Sequence, residues 1–300
     1  MRGRSVPITR PFVVGILNVT PDSFSDGGRF DKLEAAVAQA RAMVEQGADG
    51  IDVGGESTRP QGAAPVTADE ELHRVMPVVS AIRSTFSDVL LSIDTTKADV
   101  ASAALDAGVD VINDVSGFRI DPRLREIAAA REAGVVLMHS RGGVAEMGTY
   151  RYADYGGDVV VEVIGELTAS VQGALSGGIA RESIVIDPGI GFAKRSDHSL
   201  RVLAELGRVC ALGFPVMVGV SRKRFVGELS GVQTAADRIA GTLGANVAAL
   251  MNGARLFRVH DVAQNRQALD VAWGIVQAAR LRDERDVNGP DSRFPIPDSR

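Results

Sequence analysis

The sequence predicts an α/β fold, a (β/α)8 TIM barrel with long loops after its first two strands, on three observations. Short apolar runs alternate with segments of helical periodicity eight times along the chain. The apolar runs are rich in Val and Ile and show no polar alternation, which is typical of parallel strands buried on both faces. The length of 300 residues suits eight strand and helix units closed into one barrel.

Eight apolar runs are the predicted strands. In chain order they are Phe12–Leu17, Gly50–Val53, Val89–Ile93, Val111–Asp114, Val135–Met138, Ile184–Asp187, Pro215–Val218 and Leu256–Val259. An open doubly wound sheet is the structural alternative, but no G-x-G-x-x-G motif follows the first strand. A closed barrel is therefore the favoured architecture.

The predicted helices follow the strands one by one. They are Leu33–Gln46, Ala68–Ser84, Lys97–Ala107, Arg123–Arg131, Gly157–Leu175, Asp197–Leu206, Ala235–Asn252 and Val262–Leu281. Thr67 with Glu70 forms the pattern of a capping box at the start of the second helix. Glycines that follow helices are expected to end them; these are Gly47, Gly108, Gly134 and Gly213.

The domain organisation follows from where this alternation starts and stops. Residues 11–282 are expected to form the barrel, and residues 1–10 a flexible segment that is loose or lies across the barrel bottom. The segment 283–300 is charged and contains three prolines, so we expect a disordered tail.

Composition excludes several classes of function. The net charge of −5 offers no basic field, so bulk binding of nucleic acid or of an anionic membrane is disfavoured. The single cysteine, Cys210, cannot form an intramolecular disulfide and is expected to be a buried apolar residue. The run Phe12–Leu17 is too short for a secretory or membrane segment, which predicts a cytoplasmic protein.

Almost every predicted strand ends in polar residues, at the rim where barrel enzymes carry their active sites. These residues are Asn18, Glu56, Ser57, Thr58, Arg59, Asp94, Asn113, Asp114, His139, Asp187, Ser221, Arg222, Lys223, Arg258, His260 and Asp261. Any one of them, taken alone, is equally well explained as a helix cap or turn residue, and His139 as a wall residue. Capping does not explain so many cations beside so many carboxylates.

The rim residues separate into two chemical groups. Arg59, Arg258 and His260 suit an anion, since the guanidinium fork matches phosphate oxygens. A second group, Asp94, Asn113, Asp187 and Lys223, has the donors and acceptors to bind the edge of a flat heterocycle such as guanine or a pterin.

Two long glycine-rich loops, at positions 18–29 and 54–65, follow the first two strands and are expected to act as lids. The first loop carries oxygen donors that suit Mg²⁺, which are Asn18, Thr20, Asp22, Ser23 and Asp26. No Walker loop, H-E-x-x-H, G-x-S-x-G or Cys/His cluster occurs in the sequence.

Seven ordered motifs resemble those of dihydropteroate synthase, over roughly Phe12 to Leu281. They are GILNVTPDSFSDGG, DVGGESTRP, SIDT, INDVSG, DPGIGF, SRKRF and RVHDV. The resemblance implies a transferase of folate biosynthesis that joins 6-hydroxymethyl-7,8-dihydropterin diphosphate to p-aminobenzoate and releases pyrophosphate. It further implies Mg²⁺, a homodimer formed through the late helices, and a sulfonamide target.

The resemblance also implies residue roles. Asp94, Asp187, Lys223 and Arg258 would be catalytic, with Asn113 helping to hold the pterin and Arg258 stacking on its face. The diphosphate would be held by Arg59, Arg258, His260 and, through Mg²⁺, Asn18. The p-aminobenzoate site would be bounded by Phe24, Thr58, Pro60, Phe192 and Lys223, and the SRKRF motif adds Ser221 to the substrate-binding residues.

Three departures from the family pattern bear on lid packing at the p-aminobenzoate side, on contacts to the substrate carboxylate and on a rim loop, in that order. They are Gln61, Arg224 and the segment Ser140–Gly157. Two other functions remain open. A pterin-binding methyltransferase would share Asp94, Asn113 and Asp187 but would not need the anion-binding arginines, and a non-catalytic paralogue would bind a pterin without turnover.

Overall fold

The computed structural model describes residues 6–20, 29–56 and 66–288. In it, eight parallel strands form the predicted barrel. They are β1 (Phe12–Asn18), β2 (Gly50–Gly54), β3 (Leu90–Asp94), β4 (Val111–Asp114), β5 (Gly134–Met138), β6 (Ile184–Asp187), β7 (Met217–Val218) and β8 (Leu256–Val259). The strand order β6-β5-β4-β3-β2-β1-β8-β7 is sequential around the barrel. A parallel bridge between Ile186 and Val216 joins β6 to β7 and closes it.

The helices alternate with the strands as predicted. They are α1 (Arg29–Glu45), α2 (Ala68–Thr85), α3 (Ala98–Asp106), α4 (Arg123–Ala130), α5 (Val144–Met147), α6 (Val159–Ser176), α7 (Ser196–Ala204), α8 (Leu206–Cys210), α9 (Arg224–Ser230), α10 (Ile239–Met251) and α11 (Val262–Asn288). The short helices α5 and α9 were not predicted, and the predicted helix Asp197–Leu206 covers α7 but only the first residue of α8.

The turn signals were mostly correct. Thr67 caps α2 in the predicted box, with its hydroxyl accepting from the Glu70 backbone N–H at 3.2 Å. Gly47, Gly108 and Gly213 have φ of +91°, +98° and +77°, the left-handed values that end a helix. The prediction for Gly134 was wrong, because it is the first residue of β5 and Glu132, at φ +49°, makes the turn.

The strand pleat divides the core into two apolar regions. Alternate strand residues such as Val13 and Leu17 face outward and pack against the helices. Phe12 and Val14 face inward with Val111, Val136, Met217 and Leu256, and they fill the lower half of the barrel. A cavity of about 90 Å³ remains inside it, and Asp52, Ser92 and Asn113 are among its lining residues.

The chain ends differ in part from expectation. Val6 and Ile8 pack against the inward-facing apolar cluster, so residues 6–10 lie across the barrel bottom, and residues 1–5 lie outside the described part. At the other end, α11 continues to Asn288, which places residues 283–288 of the expected tail in a helix, and residues 289–300 lie outside the described part. Cys210 is half-buried rather than fully buried.

Among the described helices, α6 is the one that is long and apolar enough by composition to cross a membrane. Its buried residues Val160, Val163, Leu167 and Val171 recur every three or four positions. This spacing gives α6 one apolar face, which packs onto the barrel in the manner of a core helix.

Candidate active site

The upper half of the barrel interior is polar. Alternate residues of each strand face inward, and those near the carboxyl ends are polar, whereas those near the amino ends, such as Val14, are apolar. Asn113 and Asp187 are 3% exposed at the carboxyl ends of β4 and β6. Asp94 ends β3 and Arg258 lies within β8. Four residues that the sequence analysis assigned to the site therefore lie in one layer.

Arg258 connects two carboxylates across this layer. Its Nε donates to Asp52 Oδ2 and its Nη2 donates to Asp94 Oδ2, each at 2.6 Å. Asn113 Nδ2 also donates to Asp52 Oδ2, at 2.9 Å, and the Ser92 hydroxyl donates to the other Asp52 oxygen. Asp52 was not among the predicted site residues, although alternation along β2 places it on the same face as Gly54.

Burial shifts the protonation of this layer. It raises the pKa of Asp94 to about 7, an effect that Arg258 opposes and Asp52 reinforces. Burial alone would lower the pKa of Arg258, but Asp52 and Asp94 raise it above its ordinary value. Arg258 thus stays charged beside an aspartate whose charge is sensitive to pH near neutrality.

Asp187 begins a tight loop over positions 188–193. The Gly189 backbone N–H donates to Asp187 Oδ1 at 2.7 Å, while burial raises the pKa of this carboxyl. Gly189 has φ +65°, and a Cβ on it would lie 1.9 Å from the His139 carbonyl oxygen. Glycine is therefore required where the loop passes the end of β5.

Lys223 approaches this loop from the residues after β7. Its Nζ donates to the Ile190 carbonyl and lies 3.9 Å from the centre of the Phe192 ring. Burial lowers the pKa of Lys223 to about 7, and Asp187 opposes the shift. Lys223, Phe192 and Asp187, which the sequence analysis selected separately, form one side of the site.

Ser221 and His260 meet at the adjacent rim. The His260 backbone N–H donates to Ser221 Oγ at 3.2 Å, and His260 Nδ1 lies 3.0 Å from the same oxygen. Next to them, Arg222 is ion-paired with Asp261 and adopts a left-handed φ of +60°. Arg222 and Asp261 thus support the loop, whereas Ser221 and His260 form a pair of polar groups at the rim.

Other polar residues at the strand ends serve the scaffold. Asp114 accepts hydrogen bonds from the backbone N–H groups of Ser116 and Phe118 and from the Ser116 hydroxyl, so it caps the turn after β4. Glu56 accepts from Lys97 at 2.7 Å. The capping explanation is therefore correct for Asp114, although Asn113 beside it faces the barrel interior.

Of the predicted oxygen donors of the first loop, Asn18 and Thr20 lie among the described residues, and Asn18, the predicted metal ligand, ends β1. A Cβ on Gly54 would lie 3.8 Å from Asn18 Oδ1 and 3.7 Å from Asp94 Oδ2, so these oxygens share the rim near Gly54. Among the described residues, no group of three or more His, Cys, Asp or Glu side chains is placed so that it could hold a metal ion. A single amide oxygen fits Mg²⁺ held mainly by phosphate and water.

Several predicted residues fall outside the described part of the chain. They are Phe24, Thr58, Arg59 and Pro60, with the further oxygen donors Asp22, Ser23 and Asp26. Their roles, and that of Gln61, stay predictions.

The other two departures from the family pattern contact each other. The Arg224 guanidinium lies over the Tyr150 ring, 4.7 Å from its centre. Tyr150 belongs to the segment Ser140–Gly157, which also contains Met147 in an apolar cluster with Phe192. This segment packs directly behind the predicted p-aminobenzoate side.

Comparisons with known proteins agree with this geometry. Residues 14–260 match the family described as pterin binding enzyme. A Synechocystis protein named dihydropteroate synthase is 44% identical over 267 residues, covering 88% of this chain and 91% of the relative. The Xanthomonas albilineans dihydropteroate synthase structure with 4-aminobenzoic acid has a TM-score of 0.84 at 45% identity, covering 92% of this chain and 96% of that one. A Thermus thermophilus structure in complex with 6HMPPP has a TM-score of 0.77 at 41% identity, covering 92% and 97%.

Proposed function

Since the chain belongs to the dihydropteroate synthase family of pterin-binding enzymes, we propose that the polar layer of its barrel carries the reaction of that family. The chain is a transferase of folate biosynthesis. It joins 6-hydroxymethyl-7,8-dihydropterin diphosphate to p-aminobenzoate, giving 7,8-dihydropteroate and pyrophosphate. The observation that carries the proposal is the convergence of Asp94, Asn113 and Asp187 inside one barrel mouth.

The pterin is assigned to the polar layer between Asp94, Asn113, Asp187 and Lys223. The N–C–NH2 edge of the ring offers N–H donors to a carboxylate, and Asp187 can accept from it through Oδ2 while Oδ1 accepts from the Gly189 N–H. Lys223 donates one hydrogen bond to the Ile190 carbonyl and has further N–H donors for a ring acceptor. The flat ring would rest over the guanidinium of Arg258, which Asp52 and Asp94 hold in place.

The reaction breaks the C–O bond between the pterin methylene and the diphosphate, and it forms a C–N bond to the arylamine, which gives up one proton. Positive charge develops on the methylene as the C–O bond breaks. The carboxylates of Asp94 and Asp187 would stabilise this charge through the conjugated ring. No nucleophile on the protein is needed for this substitution.

The leaving diphosphate is assigned to the rim, where His260 is held by Ser221. The neighbouring loop would add Arg59. Mg²⁺, held by Asn18, would neutralise charge on the diphosphate when bound. The p-aminobenzoate would lie beside Phe192 and Lys223, with Phe24, Thr58 and Pro60 completing its site.

One experiment tests this function against its alternatives. Purified protein is mixed with the pterin diphosphate, p-aminobenzoate and Mg²⁺, and both pyrophosphate and dihydropteroate are measured. We expect equal amounts of the two products, and loss of both in Lys223→Met. Pterin binding without product would favour a non-catalytic paralogue, and methyl transfer from a reduced folate would favour the methyltransferase.

A homodimer through the late helices is part of the proposal. Val271 and Ile275 on α11 are 63% and 61% exposed, and Met251 at the end of α10 is 58% exposed. These apolar side chains suit a face covered by a second copy. Sedimentation of Ile275→Glu should give half the mass of the parent protein; an unchanged mass would contradict this dimer face.

A cytoplasmic location is likewise proposed.

A further inference from the structure

Lys194 is a buried lysine that the mechanism above does not use. It lies at the end of the loop after β6, and its side chain is among the largest that are fully buried, at 1% exposure. Its Nζ donates to the carbonyl oxygens of Gly189 and Phe192, each at 3.2 Å, and lies 2.7 Å from His139 Nδ1. No carboxylate of the described residues forms an ion pair with it within 4.0 Å.

The three contacts match the three N–H donors that Lys194 has when it is protonated, although burial lowers the pKa of this amine well below its ordinary value. This count requires His139 Nδ1 to accept, and therefore requires His139 to be neutral with its proton on Nε2. Burial and, to a smaller extent, the Lys194 charge together lower the pKa of His139 to about 4 against the opposing effect of Glu166, so the neutral ring is the form present at pH 7. His139 Nε2 faces the Glu166 carboxylate at 3.0 Å, although the two atoms are not aligned for a hydrogen bond.

The loop that Lys194 holds has little intrinsic preference for its observed shape. Gly189, Gly191 and Ala193 have φ of +65°, +77° and +46°, and the left-handed value is unfavourable for alanine. Hydrogen bonds made elsewhere must stabilise this conformation. Lys194 contributes two of them, at carbonyl groups on opposite sides of Ile190.

The same loop presents groups to both substrates, but not equally. Asp187 belongs to β6 and is held by the sheet and by the Gly189 N–H. Phe192 lies in the loop itself, where its carbonyl accepts from Lys194 and its ring faces Lys223. Removing Lys194 should therefore disturb Phe192 more than Asp187.

A second set of contacts supports the loop from the segment after β5. The Ala193 N–H donates to the Met147 carbonyl at 2.6 Å, and the Tyr155 hydroxyl donates to the Ala193 carbonyl at 3.1 Å. These contacts would keep the loop folded without Lys194, so a variant should shift Phe192 without unfolding the barrel.

We propose that Lys194, with His139 as its acceptor, is a positioning residue that holds Phe192 in place for the arylamine substrate. This inference rests on the proposed function, because Phe192 is assigned there to p-aminobenzoate. The Lys194–His139 pair thus acts on binding of p-aminobenzoate, whereas binding of the pterin depends on residues at the strand ends, such as Asp187.

The test is a kinetic comparison of Lys194→Met with the parent protein. Met fills similar volume and removes all three donors. We expect the KM for p-aminobenzoate to rise about tenfold, as for loss of a charge-assisted hydrogen bond, and the KM for the pterin diphosphate to stay within about twofold. Lys194→Gln, which keeps two donors, should lie between. Lys32→Met, at a half-buried lysine on α1, is the matched control and should leave both constants unchanged.

Three outcomes decide the matter. If both KM values stay at parental levels, or rise together in Lys194→Met, the positioning role is wrong. If Lys194→Met does not fold, Lys194→Gln is judged by the same difference between the two KM values. If the parent protein makes no dihydropteroate, the proposed function is wrong. If the parent protein is active and Lys194→Met has the same kinetics, only the positioning role of Lys194 is wrong.

Discussion

Replacing Asp187 with Asn removes a charge from the pterin side while keeping the shape of the side chain. In the structure, Asp187 Oδ1 accepts from the Gly189 N–H at 2.7 Å, which leaves its other oxygen for a ligand. Asparagine has one acceptor oxygen, and the Gly189 N–H would occupy it. The amide NH2 would then face the N–H donors of the pterin edge. The variant therefore loses a hydrogen-bond acceptor and places one donor group against another.

The size of the effect follows from burial. Asp187 is 3% exposed, so water does not replace the lost contact. A hydrogen bond to a charged group contributes about 1.5–3 kcal/mol, and about 1.4 kcal/mol corresponds to tenfold in affinity. The Kd for a pterin should rise by about one to two decades.

The assay is calorimetric titration with the pterin diphosphate, and Asp114→Asn is the matched control. Asp114 also ends a strand, is fully buried, and accepts from backbone N–H groups, but its bonds all go to the turn after β4. Asp114→Asn should lower the melting temperature and leave pterin affinity within about twofold of the parent, since no ligand contact is lost. Asp187→Asn should do the reverse.

A pterin Kd in Asp187→Asn equal to that of the parent would refute the assignment of this carboxylate to the ring. Equal losses of affinity in both variants would show that the effect passes through the fold of the barrel mouth rather than through a contact with the ligand.

Three further expectations follow from the same layer. Pterin affinity should peak near pH 7, because Asp94 takes up a proton below its raised pKa of about 7 and Lys223 loses one above its lowered pKa of about 7. The fall in affinity at alkaline pH should be absent in Lys223→Met. An affinity of the parent protein that does not change with pH would contradict this expectation. Arg258→Met leaves Asp52 and Asp94 buried without a counter-charge, so the free energy of unfolding measured in urea should fall by about 3–5 kcal/mol. A fall of less than about 1 kcal/mol would mean that the ion pairs of Arg258 with these aspartates do not form in solution. Asn18→Ala should raise the Mg²⁺ concentration for half-maximal activity about tenfold, with an unchanged requirement counting against Asn18 as a ligand.

The residues of the site differ in how far they could be predicted. Asp94, Asn113 and Asp187 were identifiable because each ends an apolar run, and the carboxyl ends of parallel strands meet at one rim. Asp52 lies inside β2, so no neighbouring turn residue marks it as a site residue. Its partner is visible only in the structure, where the Arg258 side chain extends from β8 across the barrel interior to reach it. Lys194 was missed because its acceptors are two backbone carbonyls and a histidine from another strand, none of which a sequence motif identifies.

The sequence by itself determined the order of strands and helices, the closed parallel barrel and the polar rim, because periodicity, caps and turn residues act over a few neighbouring positions. Only the tertiary structure decided which polar residues face the barrel interior and which support the scaffold, as the neighbouring residues Asn113 and Asp114 show. The pleat turns Asn113 to the interior, while the chain beyond β4 folds back to bond Asp114. Such choices depend on contacts between residues far apart in the chain, and local pattern does not encode them.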